Sequence, residues 1–239
     1  MSGPAMPPAE FSALTAPKDG FVFVVTYGRS GSTLVQNLLN ALPGYCIRGE
    51  NGNLSGPLAQ AWHTAATMKN LKTLRHSGRT TDPTHPWFGA EGIAPDRLGH
   101  ALADAFCREV LRPPEGTRVA GFKEIRFHHD KAFFAKHLGF LRSCFPKARF
   151  IFNTRAHQDV ARSGWWAEQD PAQVMKVLAQ AEQLFDAFLK AHPKISCKLR
   201  YEDYNDRPEG FRPLLEFLGE PFEPDLVARI LDTRLSHLK

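Results

Sequence analysis

A continuous apolar run that leads straight into a glycine-rich loop restricts the fold of this sequence more than any other feature. Residues 21–25 read Phe-Val-Phe-Val-Val, and residues 28–33 read Gly-Arg-Ser-Gly-Ser-Thr. β-branched and aromatic residues without polar alternation predict a central parallel strand that helices cover on both faces. Leucines with helical spacing follow over residues 33–42, so the loop is predicted to join a strand to a helix.

Such a loop predicts a phosphate-binding site. A strand that ends in glycines and opens a helix directs backbone N–H groups and the positive end of the helix dipole at one point. Arg29 adds a fixed charge with a planar fork of donors, whereas an ordinary strand-to-helix turn would not need an arginine and three hydroxyl groups. The candidate binding residues are Gly28, Arg29, Ser30, Gly31, Ser32 and Thr33.

The rest of the chain alternates predicted strands and helices, which implies right-handed βαβ units and a parallel sheet flanked by helices. At 239 residues the chain is long enough for one α/β domain and short for two. We place this single domain at residues 20–239 and expect residues 1–19, rich in Pro and Ala, to form a flexible lead-in. Strands are predicted at 21–25, 45–48, 118–122, 148–154 and 194–199. Helices are predicted at 33–42, 57–76, 96–111, 130–144, 158–166, 171–191, 209–218 and 224–231.

A long segment at residues 77–95 is crowded with Gly, Pro, Thr and His and interrupts this alternation. Structureless segments of such length are usually lids or binding loops. We therefore expect an acceptor or lid loop here, with Trp87 and Phe88 as candidate acceptor contacts. The alternative is that Trp87 only anchors the loop to the core.

Composition narrows the classes of function. The formal net charge of +5 fits an anionic ligand, but no run of five basic residues supports nucleic-acid binding. The sequence contains no CxxC pair, which would indicate a zinc or redox site, so the cysteines are expected to be reduced thiols. Neither a signal-peptide pattern nor an apolar run of about 20 residues occurs, which predicts a cytoplasmic protein without a membrane span. The cysteines are Cys46, Cys107, Cys144 and Cys197.

The nearest competing phosphate loop is that of the nucleotide hydrolases, GxxxxGK[ST]. It requires a Lys before the hydroxyl residue that holds magnesium, but here Ser32 precedes Thr33. A strand that ends in a metal-binding Asp is also missing, because the run at 150–152 ends in Asn153 and Thr154. The loop is therefore predicted to work without a metal, and a magnesium-dependent kinase or NTPase is the disfavoured alternative.

Two segments resemble those of the sulfotransferases that use 3′-phosphoadenosine 5′-phosphosulfate (PAPS). Residues 26–33 resemble the 5′-phosphosulfate loop of that family, whose cytosolic members have Lys where Arg29 stands. The segment from Arg155 to Ser163 resembles the family's 3′-phosphate motif, in which an Arg at a strand end and a Ser eight positions later hold the 3′-phosphate. Tyr201, after the last predicted strand, is similar to the tyrosine that lies beside the adenine in family members.

The resemblance also implies catalytic roles. Glu50 lies in an Arg-Gly-Glu segment similar to the Gly-Glu of tyrosylprotein sulfotransferases and their bacterial relatives, which implies that it is the base. Glu124 and the pair His128–His129 are the alternative bases. Lys123 resembles the lysine that neutralises the sulfuryl oxygens. Arg29 would only stabilise charge, because an arginine does not give up a proton at physiological pH.

Together these motifs imply an α/β, three-layer P-loop-like fold and a sulfotransferase that moves a sulfuryl group from PAPS to a hydroxyl or amine acceptor. The product would be 3′-phosphoadenosine 5′-phosphate (PAP), with no metal required. An inactive nucleotide-binding protein is a further alternative. The acceptor could be a small molecule, glycan, lipid or peptide. The family's basic C-terminal loop is not evident, and Arg234–Lys239 is its candidate substitute.

Overall fold

The computed structural model describes residues 7–232. Its centre is a five-stranded sheet with the order β2-β3-β1-β4-β5, and every neighbouring pair of strands runs parallel. This arrangement confirms the predicted α/β fold class. The strands are β1 (Gly20–Val25), β2 (Tyr45–Arg48), β3 (Val119–Glu124), β4 (Arg149–Thr154) and β5 (Ser196–Arg200).

Helices form a layer on each face of this sheet. The α-helices are α1 (Ser12–Thr15), α2 (Ser32–Ala41), α3 (Ser55–Thr67), α4 (Lys69–Ser77), α5 (Pro95–Phe106), α6 (Phe134–Cys144), α7 (His157–Ala161), α8 (Pro171–Ala191), α9 (Tyr201–Tyr204), α10 (Arg212–Leu218) and α11 (Pro224–Asp232). A π-helical turn at Cys107–Leu111 extends α5, and 3₁₀ segments occur at Ala90–Gly92, Phe127–His129, Gly164–Glu168 and Pro208–Phe211. Within residues 7–232, no helix is both long and apolar enough to cross a membrane.

The first strand is the centre of the core, as its continuous apolar run predicts. All six residues of β1 are buried. Successive strand side chains point to opposite faces, so Phe21 and Phe23 join one hydrophobic cluster while Val22 and Val24 join the other. The first cluster packs beneath α3, α5, α6 and α8, and the second beneath α2, α10 and α11. The sheet is therefore the middle of three layers.

Two predicted helices are interrupted in the structure. The helix predicted at 57–76 breaks at Met68, whose extended ψ of 123° separates α3 from α4. The helix predicted at 158–166 ends at Ala161, after which Ser163 is extended and Gly164 has a left-handed φ of +57°. Neither break contains a proline that would mark it in the sequence, and the hydrophobic periodicity used to predict these helices did not reveal the breaks.

The described part of the predicted lead-in packs against the domain. Leu14, within α1, is fully buried, and its backbone N–H donates to Asp104 Oδ1 at 3.0 Å. The Asp19 N–H donates to the carbonyl of Arg118 at 2.8 Å. Phe11 and Leu14 also contribute to the core, so this part of the predicted lead-in is packed on the domain.

The segment at 77–95 has internal hydrogen bonds around one threonine. Thr81 donates through Oγ1 to Glu91 Oε2 at 2.7 Å and accepts from the N–H of Gly89 at 3.0 Å. Phe88 remains 58% exposed. The segment is thus a compact surface loop, and its role toward an acceptor stays a prediction.

Candidate functional site

A cavity of about 240 Å³ opens at the carboxyl ends of the strands. In open parallel sheets this edge is where ligands bind, because the loops that leave the strands meet there. All five strands contribute, because each strand ends in or is followed by at least one residue that lines the cavity. The lining residues are Gly28, Arg29, Gly31, Ser32, Thr33, Glu50, Lys123, Ile125, Arg155, Trp165 and Tyr201.

Most of the residues predicted from the sequence therefore lie around one cavity. Ser30 and Ser163 do not line it, and Ile125 and Trp165 line it without having been predicted. Ile125 follows a strand end and could have been found by extending β3. Trp165 lies after the unexpected turn at Gly164, so no sequence pattern placed it here.

Buried hydrogen bonds hold the loop after β1. Thr26 Oγ1 donates to the carbonyl of Asn153 and lies 2.7 Å from Ser30 Oγ. The Asn153 amide donates to the carbonyl of Ser30 at 2.8 Å and accepts from the Tyr204 hydroxyl at 2.7 Å. The side chain of Ser30 is fully buried. Its hydroxyl thus supports the loop, and the sequence did not reveal this role or those of Thr26 and Asn153.

Two glycines of the loop leave room for aromatic rings. A Cβ atom at Gly31, whose φ is +81°, would lie 2.2 Å from the ring of Tyr201. A Cβ atom at Gly28 would lie 2.3 Å from Cζ2 of Trp165. Both distances are far inside van der Waals contact, so only glycine allows these rings to lie against the backbone.

Arg29 is bonded to the predicted 3′-phosphate serine. Its Nε donates to Ser163 Oγ at 2.9 Å, and its guanidinium lies 6.0 Å from the ring centroid of Trp165. The sequence placed Ser163 two turns into a helix beside Arg155. The structure instead places Ser163 in an extended segment before Gly164, where it contacts Arg29.

Arg155 lies over the ring of Tyr201, the tyrosine that is predicted to lie beside the adenine. Its guanidinium carbon is 4.5 Å from the ring centroid of Tyr201, and Nη1 donates to the carbonyl of Arg29 at 3.3 Å. Its Nε is buried and has no hydrogen-bond partner within residues 7–232. A buried, unpaired guanidinium N–H is a donor that an anionic ligand could satisfy.

Tyr27 anchors the backbone of Arg155. Its hydroxyl accepts from the Arg155 N–H at 2.9 Å and lies 2.9 Å from Glu182 Oε1. Burial raises the pKa of Tyr27 well above its ordinary value, so the phenol stays protonated and can donate to that carboxylate. Glu182 also pairs with His157 at 2.8 Å and Lys198 at 3.2 Å, and this network fixes the end of β4.

Two glutamates and two cations form a chain at the ends of β2 and β3. Lys123 Nζ lies 2.7 Å from Glu50 Oε1, and Arg126 Nη1 lies 3.1 Å from Glu50 Oε2 and 3.0 Å from Glu124 Oε1. The Lys123 side chain is 8% exposed and that of Glu50 33%. Glu50 is therefore oriented from two sides and still reaches solvent. Arg126 was not predicted from the sequence.

The alternative bases are differently placed. Glu124 is fully buried and accepts from the backbone N–H groups of Asn51 at 3.2 Å and Asn53 at 2.8 Å. His128 is 3% exposed, and burial lowers its pKa to about 4. Neither side chain lines the cavity, and nor does His129. Glu50 is the carboxylate that faces it.

The cavity is electropositive. Its lining contains Arg29, Lys123 and Arg155 against the single carboxylate of Glu50, which suits a ligand with several negative charges. Within the described residues 7–232, no group of three or more His, Cys, Asp or Glu side chains is arranged to hold a metal ion.

Comparison with known proteins identifies the family. Residues 22–224 match the family described as the sulfotransferase family. The match spans most of the chain, so this chain belongs to the sulfotransferase family, whose activity is sulfuryl transfer. A search of curated proteins found no match.

Two solved structures are similar to this chain. The sulfotransferase domain of the Synechococcus PCC 7002 olefin synthase is 17% identical, with a TM-score of 0.54, and the alignment covers 86% of this chain and 75% of that one. Sulfotransferase STF9 from Mycobacterium avium is 15% identical, with a TM-score of 0.41 and coverage of 92% and 68%. At such identity, the first of these similarities supports the α/β architecture and no finer property.

Proposed function

We propose that this sulfotransferase uses PAPS as its donor and transfers the sulfuryl group to a hydroxyl or amine of an acceptor, with Glu50 as the base. One observation carries the proposal: three cations and one solvent-accessible carboxylate line a single cavity around the glycine-rich loop. The cations match the charges of the donor, and the carboxylate can accept the proton that the acceptor must lose.

The strand order separates a donor side from an acceptor side. Arg155 follows β4 and Tyr201 follows β5, on one side of the central strand β1. Lys123 and Glu50 belong to β3 and the loop after β2, on the other side. The nucleotide would therefore extend from the loop after β1 toward β5, and the acceptor would enter from the side of β2.

Each group on the donor side then has a role. The backbone N–H groups of the loop and the hydroxyls of Ser32 and Thr33 would bind the 5′-phosphosulfate. Arg155, whose Nε has no partner in the described part of the chain, would bind the 3′-phosphate. Tyr201 would stack on the adenine in place of the Arg155 guanidinium that now covers its ring.

The chemical step is an in-line displacement at sulfur. The acceptor oxygen or nitrogen forms a bond to sulfur while the bond from sulfur to the bridging phosphate oxygen breaks, and Glu50 takes the acceptor's proton. Charge grows on the departing phosphate, where Arg29 stabilises it, and Lys123 neutralises the sulfuryl oxygens. The 2.7 Å contact between Lys123 and Glu50 supports this assignment, because a base in that position would lie next to the sulfuryl oxygens that Lys123 neutralises.

The structure gives Ser163 a contact with Arg29, and we therefore assign it to orienting that guanidinium. The 3′-phosphate role that the sequence motif implies for Ser163 is the alternative. A magnesium-dependent kinase remains disfavoured, because Asn153 stands at the end of β4 and its amide already holds the carbonyl of Ser30. The predicted substitute loop at Arg234–Lys239 lies outside the described residues.

Thermal denaturation tests the choice of donor. PAP without metal, at about 100 times its dissociation constant, should stabilise the protein by about 2.7 kcal/mol and raise Tm by roughly 5 to 10 °C. Arg155→Ala, the matched control, should shift much less at the same PAP concentration. Stabilisation by ATP with magnesium but not by PAP would contradict the proposal. Transfer itself is then tested with sulfur-labelled PAPS and a panel of alcohols, phenols, sugars, lipids and amines.

A further inference from the structure

Trp165 is a large apolar side chain that the fold holds in place and yet leaves 47% exposed. Its indole lies against the backbone of Gly28, where no other residue would fit, and beside the Arg29 guanidinium at 6.0 Å. One edge of the ring is thus packed on the phosphate loop while the remainder faces the cavity that it lines.

The neighbouring tryptophan fixes this position. Trp166 donates through Nε1 to the carbonyl of Gly28 at 3.1 Å, which ties the 3₁₀ segment Gly164–Glu168 to the loop. Gly164 begins the segment with a φ of +57°, and a Cβ atom there would lie 3.0 Å from Arg29 Nε. The left-handed turn therefore lets the segment approach the loop, and the Trp165 ring is positioned before any ligand arrives.

The ring lines the same cavity as groups from the acceptor side of the sheet. Trp165 rests on the loop after β1, and the same cavity contains Ile125 and Glu50 from the side of β2 and β3. With the donor in place, Trp165, Ile125 and Glu50 are the lining groups left to contact an acceptor. Two of these three side chains are apolar.

The charges near Glu50 also restrict the acceptor. Arg126 is paired with both Glu50 and Glu124, and Lys123 is paired with Glu50. The cations on this side are thus already neutralised by carboxylates, so nothing in the lining favours an acidic acceptor. Glu50 by itself can accept one hydroxyl proton.

We propose that Trp165 is the platform for the acceptor and that the acceptor is an uncharged aromatic alcohol or phenol, whose planar ring stacks on the indole while its hydroxyl faces Glu50. Aromatic rings pair favourably in offset or edge-to-face geometry, and an exposed, fixed indole offers this surface. The inference rests on the proposed function and makes Trp165 a specificity-determining residue.

Two primary alcohols that differ in ring aromaticity provide the test. Benzyl alcohol and cyclohexylmethanol each carry a CH₂OH group on a six-membered ring. Only the aromatic ring of benzyl alcohol can stack on the indole, so a difference between the two alcohols reports stacking. Wild type, Trp165→Ala and Trp165→Phe are compared by kcat/KM with PAPS, and by saturation-transfer NMR of each alcohol with the PAP-saturated protein. Met68→Ala, which removes an exposed apolar side chain outside the cavity lining, is the matched control.

The proposal predicts that Trp165→Ala lowers kcat/KM for benzyl alcohol by roughly 3- to 10-fold and that for cyclohexylmethanol by clearly less. Trp165→Phe should retain most of the wild-type value, Met68→Ala all of it, and the Kd for PAP should stay within about twofold in all of them. The NMR signal from benzyl alcohol should weaken in Trp165→Ala alone.

Three results would overturn the inference while leaving the proposed function intact. One is an equal loss for both alcohols, and another is a loss of PAP affinity in Trp165→Ala, which would assign the indole to the nucleotide. The third is the absence of transfer to, and NMR signal from, either alcohol in a protein that binds PAP. Failure of the wild type to bind PAP would instead remove the proposed function itself.

Discussion

The Nε atom of Arg29 donates a hydrogen bond to Ser163 Oγ at 2.9 Å and so joins the loop after β1 to the turn after α7. Arg29 has a left-handed φ of 66°, and the Gly164 turn brings Ser163 close to its side chain. The charge-stabilising role proposed for the Arg29 guanidinium would gain from such a partner, because an already oriented donor needs no reorganisation.

Ser163→Ala tests the meaning of this contact. If Ser163 orients Arg29, the substitution should lower kcat by about tenfold while the Kd for PAP changes by less than about threefold, since one charge-assisted hydrogen bond is lost. Ser163→Thr, which keeps the hydroxyl, should recover part of the loss. Calorimetric titration with PAP checks the binding constant. A large loss of PAP affinity with unchanged kcat would restore the 3′-phosphate role of Ser163.

Glu50→Gln should remove the proposed base and keep the nucleotide site. We expect kcat to fall by about 10² or more, the usual contribution of a positioned base, while PAP binds as in wild type. Because the glutamine is neutral, Lys123 and Arg126 would each lose an ionic partner. Single-turnover transfer of the labelled sulfuryl group from PAPS, measured alongside PAP binding, checks both expectations. Full activity with every acceptor would exclude Glu50 as the base.

Glu124→Gln should act through the position of Glu50. Buried Glu124 accepts from two backbone N–H groups of the loop after Glu50 and also binds Arg126. The glutamine keeps one carbonyl oxygen, so we expect a destabilisation of about 1 to 3 kcal/mol and a reduced kcat with little change in PAP affinity. Urea unfolding and steady-state kinetics measure the two effects. An unchanged kcat in the folded variant would show that Glu124 supports only the loop.

Tyr27→Phe should weaken nucleotide binding indirectly. The phenol oxygen accepts from the Arg155 N–H, and its removal leaves a part-buried donor unpaired at a cost of about 1 kcal/mol. We expect PAP affinity to fall by roughly 3- to 10-fold as Arg155 shifts, less than in Arg155→Ala, where about 1.5 to 3 kcal/mol of charged hydrogen bonding is lost. Calorimetry on both variants ranks the effects, and equal affinity in Tyr27→Phe and wild type would contradict this coupling.

The strand-end residues explain why so much of the site could be predicted. Apolar runs located the strands, and parallel strands bring their carboxyl ends to one edge. Polar residues just after those runs, such as Glu50, Lys123, Arg155 and Tyr201, therefore had to lie near the glycine-rich loop, and they do. The period of each strand and its end point are enough to predict these positions.

Contacts that depend on one backbone turn could not be predicted in the same way. Residues 158–166 have a helical pattern, yet the left-handed φ of Gly164 ends the helix early and moves Ser163 and Trp165 onto the loop. Leu14 was missed because a four-residue helix is too short to show a period. Arg126 was missed because its partners, Glu50 and Glu124, are brought together only by the pairing of β2 with β3.

Two buried histidines make stability depend on pH. Burial lowers the pKa of His128 and of His137 from an ordinary 6.5 to about 4, so both stay neutral in the folded state while the unfolded chain takes up protons below pH 6.5. The stability that these neutral histidines give the folded state is fully present above pH 6.5 and is lost progressively as the pH falls toward 4. Between pH 7.5 and 5.5, each should reduce the unfolding free energy by about 1 to 2 kcal/mol. Urea unfolding at both pH values measures this, and His128→Phe should reduce the difference between the two pH values by about 1 to 2 kcal/mol, the share of one such histidine. The same slope in His128→Phe as in wild type would show that His128 does not titrate as a buried group.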